Sequence, residues 1–138
     1  MGKILIVDDD PVFLNLLGTF VGENYPLLQV ITCLNPVKAL TLIREGGFDL
    51  LVLDLEMPEL DGAKLFNFAI ETGMDPKRIV ILSGRDSDYL HANFPLGTCL
   101  AVLNKFEVKQ KAVLEMVFSS LNRKAAARQE DDCREKSV

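Results

Sequence analysis

The sequence contains no tryptophan, a single histidine and only three cysteines among its 138 residues. His91 alone excludes a histidine-rich metal site and leaves any Ser-His-Asp scheme with one candidate base. Cys33, Cys99 and Cys133 are odd in number and far apart, so neither a zinc-type CxxC pair nor a complete disulfide framework is present. They read as reduced thiols, two of them in the core. Basic residues are in the minority, 15 Lys and Arg against 20 Asp and Glu for a net charge of -5, which argues against a basic nucleic-acid footprint. Long apolar runs are missing too, since none approaches the roughly 18 residues that a membrane span needs. The run at 4–7 is too short for a signal-peptide core and leads straight into Asp8-Asp9-Asp10. These absences lead us to expect a soluble, cytoplasmic chain that binds neither nucleic acid nor membrane directly.

What is present is an ordinary globular mix, 49% hydrophobic and 25% charged, at a length suited to one domain. Short apolar runs at 4–7, 27–32, 50–53, 79–82 and 100–103 read as five strands, four of them apolar enough to be buried on both faces. Helical signals lie between them. Phe13, Leu16, Leu17, Phe20 and Val21 follow the spacing of one buried helical stripe. Asn35-Pro36 opens a second helix that Gly46-Gly47 stops, and Asp61-Gly62 opens a third that runs to Gly73. A weaker helix spans about 87–93. This alternation predicts an α/β fold, a doubly wound parallel sheet with helices on both faces.

The last helix, from about Glu107, carries Ala112, Val113, Leu114, Met116, Val117, Phe118 and Leu121 around about two-thirds of its circumference. That is wider than packing on a sheet requires, and its outer face suits either a partner or a broad core stripe. From Asn122 the composition turns polar, with five basic residues against four acidic ones, leaving residues 1–121 at about -6 of the chain's -5. The expected organisation is one domain over 1–121 and a polar extension over 122–138, helical or a disordered linker.

In a right-handed β-α-β series all strands point the same way, so the residues just past them gather at one edge. Those residues are Asp8, Asp9 and Asp10 after the first strand, Asp54 after the third, Ser83 after the fourth and Lys105 after the fifth. Carboxylates crowded together repel unless a cation is present. Mg²⁺ takes one or two carboxylates together with waters and phosphate oxygens. A lysine and a hydroxyl at the rim suit the remaining oxygens of a phosphoryl group. The residues therefore read as a phosphoryl site. Asp10 before Pro11 and Asp61 before Gly62 read as cap and loop residues instead.

The segments Ile4-Leu5-Ile6-Val7-Asp8-Asp9-Asp10-Pro11, Asp54-Leu55-Glu56-Met57-Pro58-Glu59-Leu60-Asp61-Gly62, Ile81-Leu82-Ser83-Gly84 and Asn104-Lys105-Phe106 resemble the receiver domain of two-component response regulators. The resemblance runs from Lys3 to about Leu121. It implies a flavodoxin-like (α/β)5 fold with strand order 2-1-3-4-5. It implies Asp54 as phosphoacceptor, taking its phosphoryl group from a histidine kinase or phosphotransfer protein, because His91 lies away from the edge. Mg²⁺, with Mn²⁺ as an alternative, would be held by Asp9 and Asp54 directly, by the Glu56 backbone carbonyl, and by Asp8 through water. Ser83 and Lys105 would bind the phosphoryl oxygens, Ser83 as the switch. The domain would be regulatory, its only catalysis being of its own phosphorylation and dephosphorylation. Output would pass to a partner, a homodimer or a further domain through the face of the fourth helix, fifth strand and fifth helix.

Two positions depart from the family pattern. Lys105-Phe106 stands where Lys-Pro, often with a cis bond, is usual; a non-proline cis bond costs about 3–4 kcal/mol, so a trans bond and a differently shaped loop are expected. Val102 stands where a switching aromatic is usual, and a valine cannot swing in and out as a Tyr or Phe does. Glu56 and Arg85, two residues past the acceptor and the switch serine, are expected to flank the phosphoryl group, pair across the mouth and slow its loss. Two rivals remain at this point. One is a receiver-shaped interaction module that is never phosphorylated. The other is a haloacid-dehalogenase-type phosphatase using Asp8, which lacks that family's late paired acids and leaves the segment around Asp54 unexplained.

Overall fold

The computed structural model describes residues 2–58, 60–85, 87–95, 97–105 and 109–136. Strands and helices alternate: β1 (Gly2–Val7), α1 (Pro11–Asn24), β2 (Leu28–Cys33), α2 (Pro36–Glu45), β3 (Leu50–Asp54), α3 (Gly62–Glu71), a 3-10 turn (Pro76–Arg78), β4 (Ile79–Ser83), α4 (Ser87–Asn93), β5 (Ala101–Asn104) and α5 (Lys109–Lys136). The strands form one parallel sheet, as the alternation of elements predicts, in the order β2-β1-β3-β4-β5 that the family resemblance implies.

Side chains alternate across a strand, and the apolar runs supply both faces. Ile4, Ile6, Leu50, Val52, Val80 and Leu82 pack with Leu14 and Val21 of α1 and with Leu114 and Phe118 of α5. Leu5, Val7, Leu51, Leu53, Ile79 and Ile81 pack with α2, α3 and α4 through Ile43, Leu65, Phe66 and Leu90. Each fully buried aliphatic contributes about 1.5–3 kcal/mol. The central strands therefore hold the carboxyl-terminal edge rigidly.

Helix starts follow their capping chemistry. Asp10 accepts from the N–H groups of Val12 and Phe13, Asn35 from Val37, and Asp61 from Ala63. The buried side of α1 differs from the predicted stripe. Leu16 is exposed, while Leu14 and Val21 are buried and Phe13, Leu17 and Phe20 are packed at the margin. The helix carries apolar residues on more than one face, so spacing alone does not fix its rotation; the packing of Leu14 and Val21 against the sheet and α5 does. In α5, Met116 is exposed, and the helix continues past 121 to bury Ala125. Asn122 accepts the Leu27 N–H at 3.2 Å, and Arg128 lies 3.7 Å from Asp49. Among the described residues, no helix is long and apolar enough to cross a membrane.

Candidate phosphoryl and cation site

The strand order reverses at β1, whose two neighbours β2 and β3 lead away in opposite directions, and the edge outside the strand ends there is where an open α/β sheet leaves a crevice. Val7 pairs with Leu53, Asp54 with Leu82, and Ser83 with Asn104, so Asp8, Asp54, Ser83 and Lys105 emerge side by side. The Lys105 N–H donates to the Ser83 carbonyl at 2.8 Å, which fixes where the lysine leaves the sheet.

Among the described residues, Asp8, Asp54 and Ser83 are the buried polar ones, whereas Asp9 is exposed. Asp8 Oδ1 accepts the Asp10 N–H at 2.9 Å. Its buried Oδ2 has the Lys105 ammonium at 2.6 Å and no other donor among the described residues. Lys105 Nζ also stands 3.3 Å from Asp54 Oδ2 and 5.0 Å from the centre of the Phe13 ring. Asp54 Oδ1 accepts the Glu56 N–H at 3.2 Å.

Burial, with the Asp8 charge second, pushes the Asp54 carboxyl up from 3.8 to about 7, against the lowering effect of Lys105 and the Glu56 N–H. Burial works to lower the Lys105 ammonium, but the bond to Asp8 and the charges of Asp54 and Asp8 outweigh it and hold it above its ordinary value. Oxygens of Asp8, Asp9 and Asp54 lie within 4.8 Å of one another. With all three ionised, three carboxylates against one ammonium leave an excess of two negative charges. An all-oxygen donor set with that excess fits a hard divalent cation, and the under-satisfied Oδ2 of Asp8 fits it further.

Glu56 and Arg85 are not paired with each other. The Ser83 hydroxyl and the Gly84 N–H, the latter at 3.2 Å, both donate to the Glu56 carboxylate. The Arg85 guanidinium instead lies 4.0 Å from the centre of the Tyr89 ring. Neighbouring donors took the carboxylate and an aromatic face took the cation, so the pair expected from spacing does not form. Val102 is half-buried on β5, opposite Ile81 and packed against the core on the α4 side, with no aromatic in its place. Phe106 and the bond before it lie outside the described residues. His91 is exposed on α4, and Cys33 and Cys99 are buried and half-buried. Burial pushes the Cys99 thiol up to about 11, which keeps it unreactive at neutral pH.

Sequence reasoning missed three participants. Asn104 donates to the Arg85 carbonyl at 2.8 Å and ties the β4–α4 loop to the end of β5. Gly84 supplies a backbone donor, and Gly62 lets α3 approach the end of β3. A Cβ on Gly62 would stand 2.3 Å from the Asp54 carbonyl oxygen and 2.6 Å from Leu55 Cα. All three lie within the segments that resemble the receiver domain, but nothing in the sequence assigned them these contacts.

Known proteins share this architecture. The rice two-component response regulator ORR21 (Oryza sativa subsp. indica) is 34% identical over 102 residues, which cover 70% of this chain and 14% of the rice protein. The Arabidopsis thaliana two-component response regulator ARR11 is 29% identical over 117 residues, 81% of this chain and 21% of that protein. The chain thus spans less than a quarter of either relative. Among solved structures, the receiver domain of the Francisella response regulator 1452 superposes with a TM-score of 0.72 at 25% identity, covering 90% of this chain and 98% of that one. The Thermotoga maritima response regulator TrrA, in complex with Mg²⁺ and beryllium fluoride, gives 0.71 at 26% identity, covering 88% and 99%. The family model for the response regulator receiver domain matches residues 4–117, and with this sheet order and this carboxylate edge the chain belongs to that family.

Proposed function

We propose that the chain accepts a phosphoryl group on Asp54 from the phosphohistidine of a histidine kinase or phosphotransfer protein in the cytoplasm. An Asp54 carboxylate oxygen attacks phosphorus, the P–N bond to the donor imidazole breaks, and the leaving histidine keeps the electron pair and takes a proton. The product is an acyl phosphate. The observation that carries this reading is Asp54 itself, buried at the end of a central strand with Lys105 at 3.3 Å and Asp8 beside it.

Asp9 and Asp54, with the Glu56 backbone carbonyl and Asp8 through water, would hold Mg²⁺, or Mn²⁺ in its place. When bound, the ion would neutralise the charge that builds on the phosphoryl oxygens. Lys105 supplies a point charge to one phosphoryl oxygen, and Ser83 supplies a hydroxyl to another as the switch. The domain in this way assists its own phosphorylation and dephosphorylation. Glu56 and Arg85 flank the mouth and are proposed to tune the lifetime separately, since each already has another partner. With Val102 in β5, the switch does not use an aromatic at that position. Output is proposed to pass through the α4-β5-α5 face to a partner, a homodimer or a further domain, with the segment beyond 121 as a connection.

Incubation with Mg²⁺ and a small phosphodonor, reductive trapping of the acyl phosphate and peptide mapping test the reading. Label on Asp54 is the expected result. Label on Asp8 would support a phosphatase, and no label would support a silent interaction module.

A further inference from the structure

The carboxylate of Glu56 occupies the Ser83 hydroxyl, which the proposed function assigns to a phosphoryl oxygen, and with it the neighbouring Gly84 N–H. Its Oε1 accepts the Ser83 hydroxyl, and its Oε2 accepts the Gly84 N–H at 3.2 Å. The direction of the first bond follows from an inventory of protons. Ser83 is fully buried, and its Oγ already accepts the Arg85 N–H at 3.0 Å. A hydroxyl has one proton, and an ionised carboxylate only accepts, so the Ser83 proton is committed to Glu56. Neither Ser83 nor Gly84 can donate to a phosphoryl oxygen while Glu56 stays.

We infer that Glu56 is an intramolecular stand-in for the phosphoryl group, holding the Ser83 hydroxyl and the Gly84 N–H until the group arriving on Asp54 displaces it. This rests on the phosphoacceptor reading and deepens it. Glu56 is well placed for such a role on three counts. It is two residues from Asp54, and its N–H is tied to the Asp54 carboxylate at 3.2 Å, so any change at the acceptor reaches it directly. It presents two oxygens of one anionic group to a hydroxyl and a backbone N–H, as a phosphoryl group would. The residue is exposed, so its carboxylate can leave for water at little cost, and a cavity lined by Glu56, Asp61, Asn67, Arg85 and Asn93 lies open beside it.

The stand-in has two consequences. The unphosphorylated protein already holds Ser83 in a hydrogen-bonded position against an anion, and binding of a phosphoryl group must first release that anion. Removing the carboxylate therefore strengthens phosphoryl binding, and it does so through Ser83. Simple charge repulsion from Glu56 would strengthen binding as well, but equally whether or not the Ser83 hydroxyl is present. That difference separates the two explanations.

The test uses the full chain and beryllofluoride with Mg²⁺ as the phosphoryl probe, in wild type, Glu56→Ala, Ser83→Ala and the double variant. Glu56→Ala is expected to tighten beryllofluoride binding about fivefold or more in the wild-type background and less than about twofold in Ser83→Ala. In the unliganded protein, the Gly84 amide proton is expected to move upfield by NMR in Glu56→Ala. It should also do so in Glu56→Gln, where an amide NH₂ replaces one accepting oxygen. Equal tightening in both backgrounds overturns the inference in favour of plain repulsion. An unmoved Gly84 amide in Glu56→Ala overturns it as well. If no variant binds beryllofluoride, the phosphoacceptor reading falls together with the competition, a pattern distinct from either of those results.

Discussion

Lys105 Nζ stands closer to Asp8, at 2.6 Å, than to Asp54, at 3.3 Å. The ammonium thus occupies the space between the two buried carboxylates, where a dication would otherwise gather them. A cation bound at this edge would compete with the lysine for Asp8, and the winner would decide how freely Lys105 can turn to a phosphoryl oxygen.

Lys105→Met tests that competition. The methionine keeps most of the apolar stem but leaves Asp8 and Asp54 facing each other without a cation. Breaking a buried pair by removing one partner costs up to about 3–5 kcal/mol, and proton uptake by the carboxylates reduces this here to about 1–3 kcal/mol. In urea unfolding the metal-free variant is therefore expected to be less stable than wild type at pH 7.5. Titration calorimetry should show it binding Mg²⁺ more tightly. Unchanged Mg²⁺ affinity would remove the competition from the account.

The pH dependence of stability follows from Asp54. Its carboxyl rises from 3.8 to about 7 in the folded protein, chiefly by burial and then by Asp8. Between those values the folded state holds a proton that the unfolded state has released. The contribution of this group is full below about pH 4 and is lost as pH rises through about 7, at a cost of a few kcal/mol. Metal-free wild type should lose stability from pH 4 to 8. Asp54→Asn should match it near pH 4, exceed it near pH 8 and show a flatter profile. Added Mg²⁺ should restore the wild-type loss at high pH. A metal-free profile identical in Asp54→Asn would contradict the raised carboxyl.

Arg85 lies over Tyr89, and its carbonyl is held by Asn104. From there its guanidinium can screen the mouth without touching Glu56. Arg85→Ala is expected to shorten the acyl-phosphate lifetime by a few-fold, with the rate of its formation little changed, because the acceptor and its lysine are untouched. The decay of trapped phosphoprotein over time measures this, and an equal lifetime would end the proposed role.

The sheet and its carboxylate edge were legible because they depend on features that a sequence carries locally. Apolar runs of four or five residues mark buried strands, and a parallel sheet sends every strand end to one edge; that Asp8, Asp54, Ser83 and Lys105 meet there follows from the strand order that the family resemblance implied. Strand limits shifted by one or two residues, as with Gly2–Val7 against 4–7 and Leu28–Cys33 against 27–32. What depended on rotation or on competing partners was not legible. Leu14 and Leu16 are equally apolar, and only tertiary contact puts the first inside. Glu56 and Arg85 are opposite charges near one mouth, but a hydroxyl, a backbone N–H and an aromatic ring were nearer partners. Spacing records which groups are neighbours, not which donor each acceptor takes.

Gly62 provides the most direct test of how the backbone positions the acceptor. Its N–H donates to the Leu55 carbonyl at 3.2 Å, and Asp61 caps the same turn through the Ala63 N–H. α3 therefore begins in contact with the peptide that follows Asp54. A methyl group at Gly62 would overlap the Asp54 carbonyl oxygen and Leu55 Cα, both backbone atoms that no rotamer change can move. The helix start or the strand end must shift, and overpacking of this kind costs about 1–3 kcal/mol. Because the shift falls on the residue that carries the acceptor, Gly62→Ala should also slow acyl-phosphate formation at saturating Mg²⁺ by about tenfold or more, as small misplacements of reacting groups do. Urea unfolding and phosphodonor kinetics measure the two effects. A variant within about 0.5 kcal/mol of wild type and phosphorylated at the same rate would show that the close approach does not position Asp54.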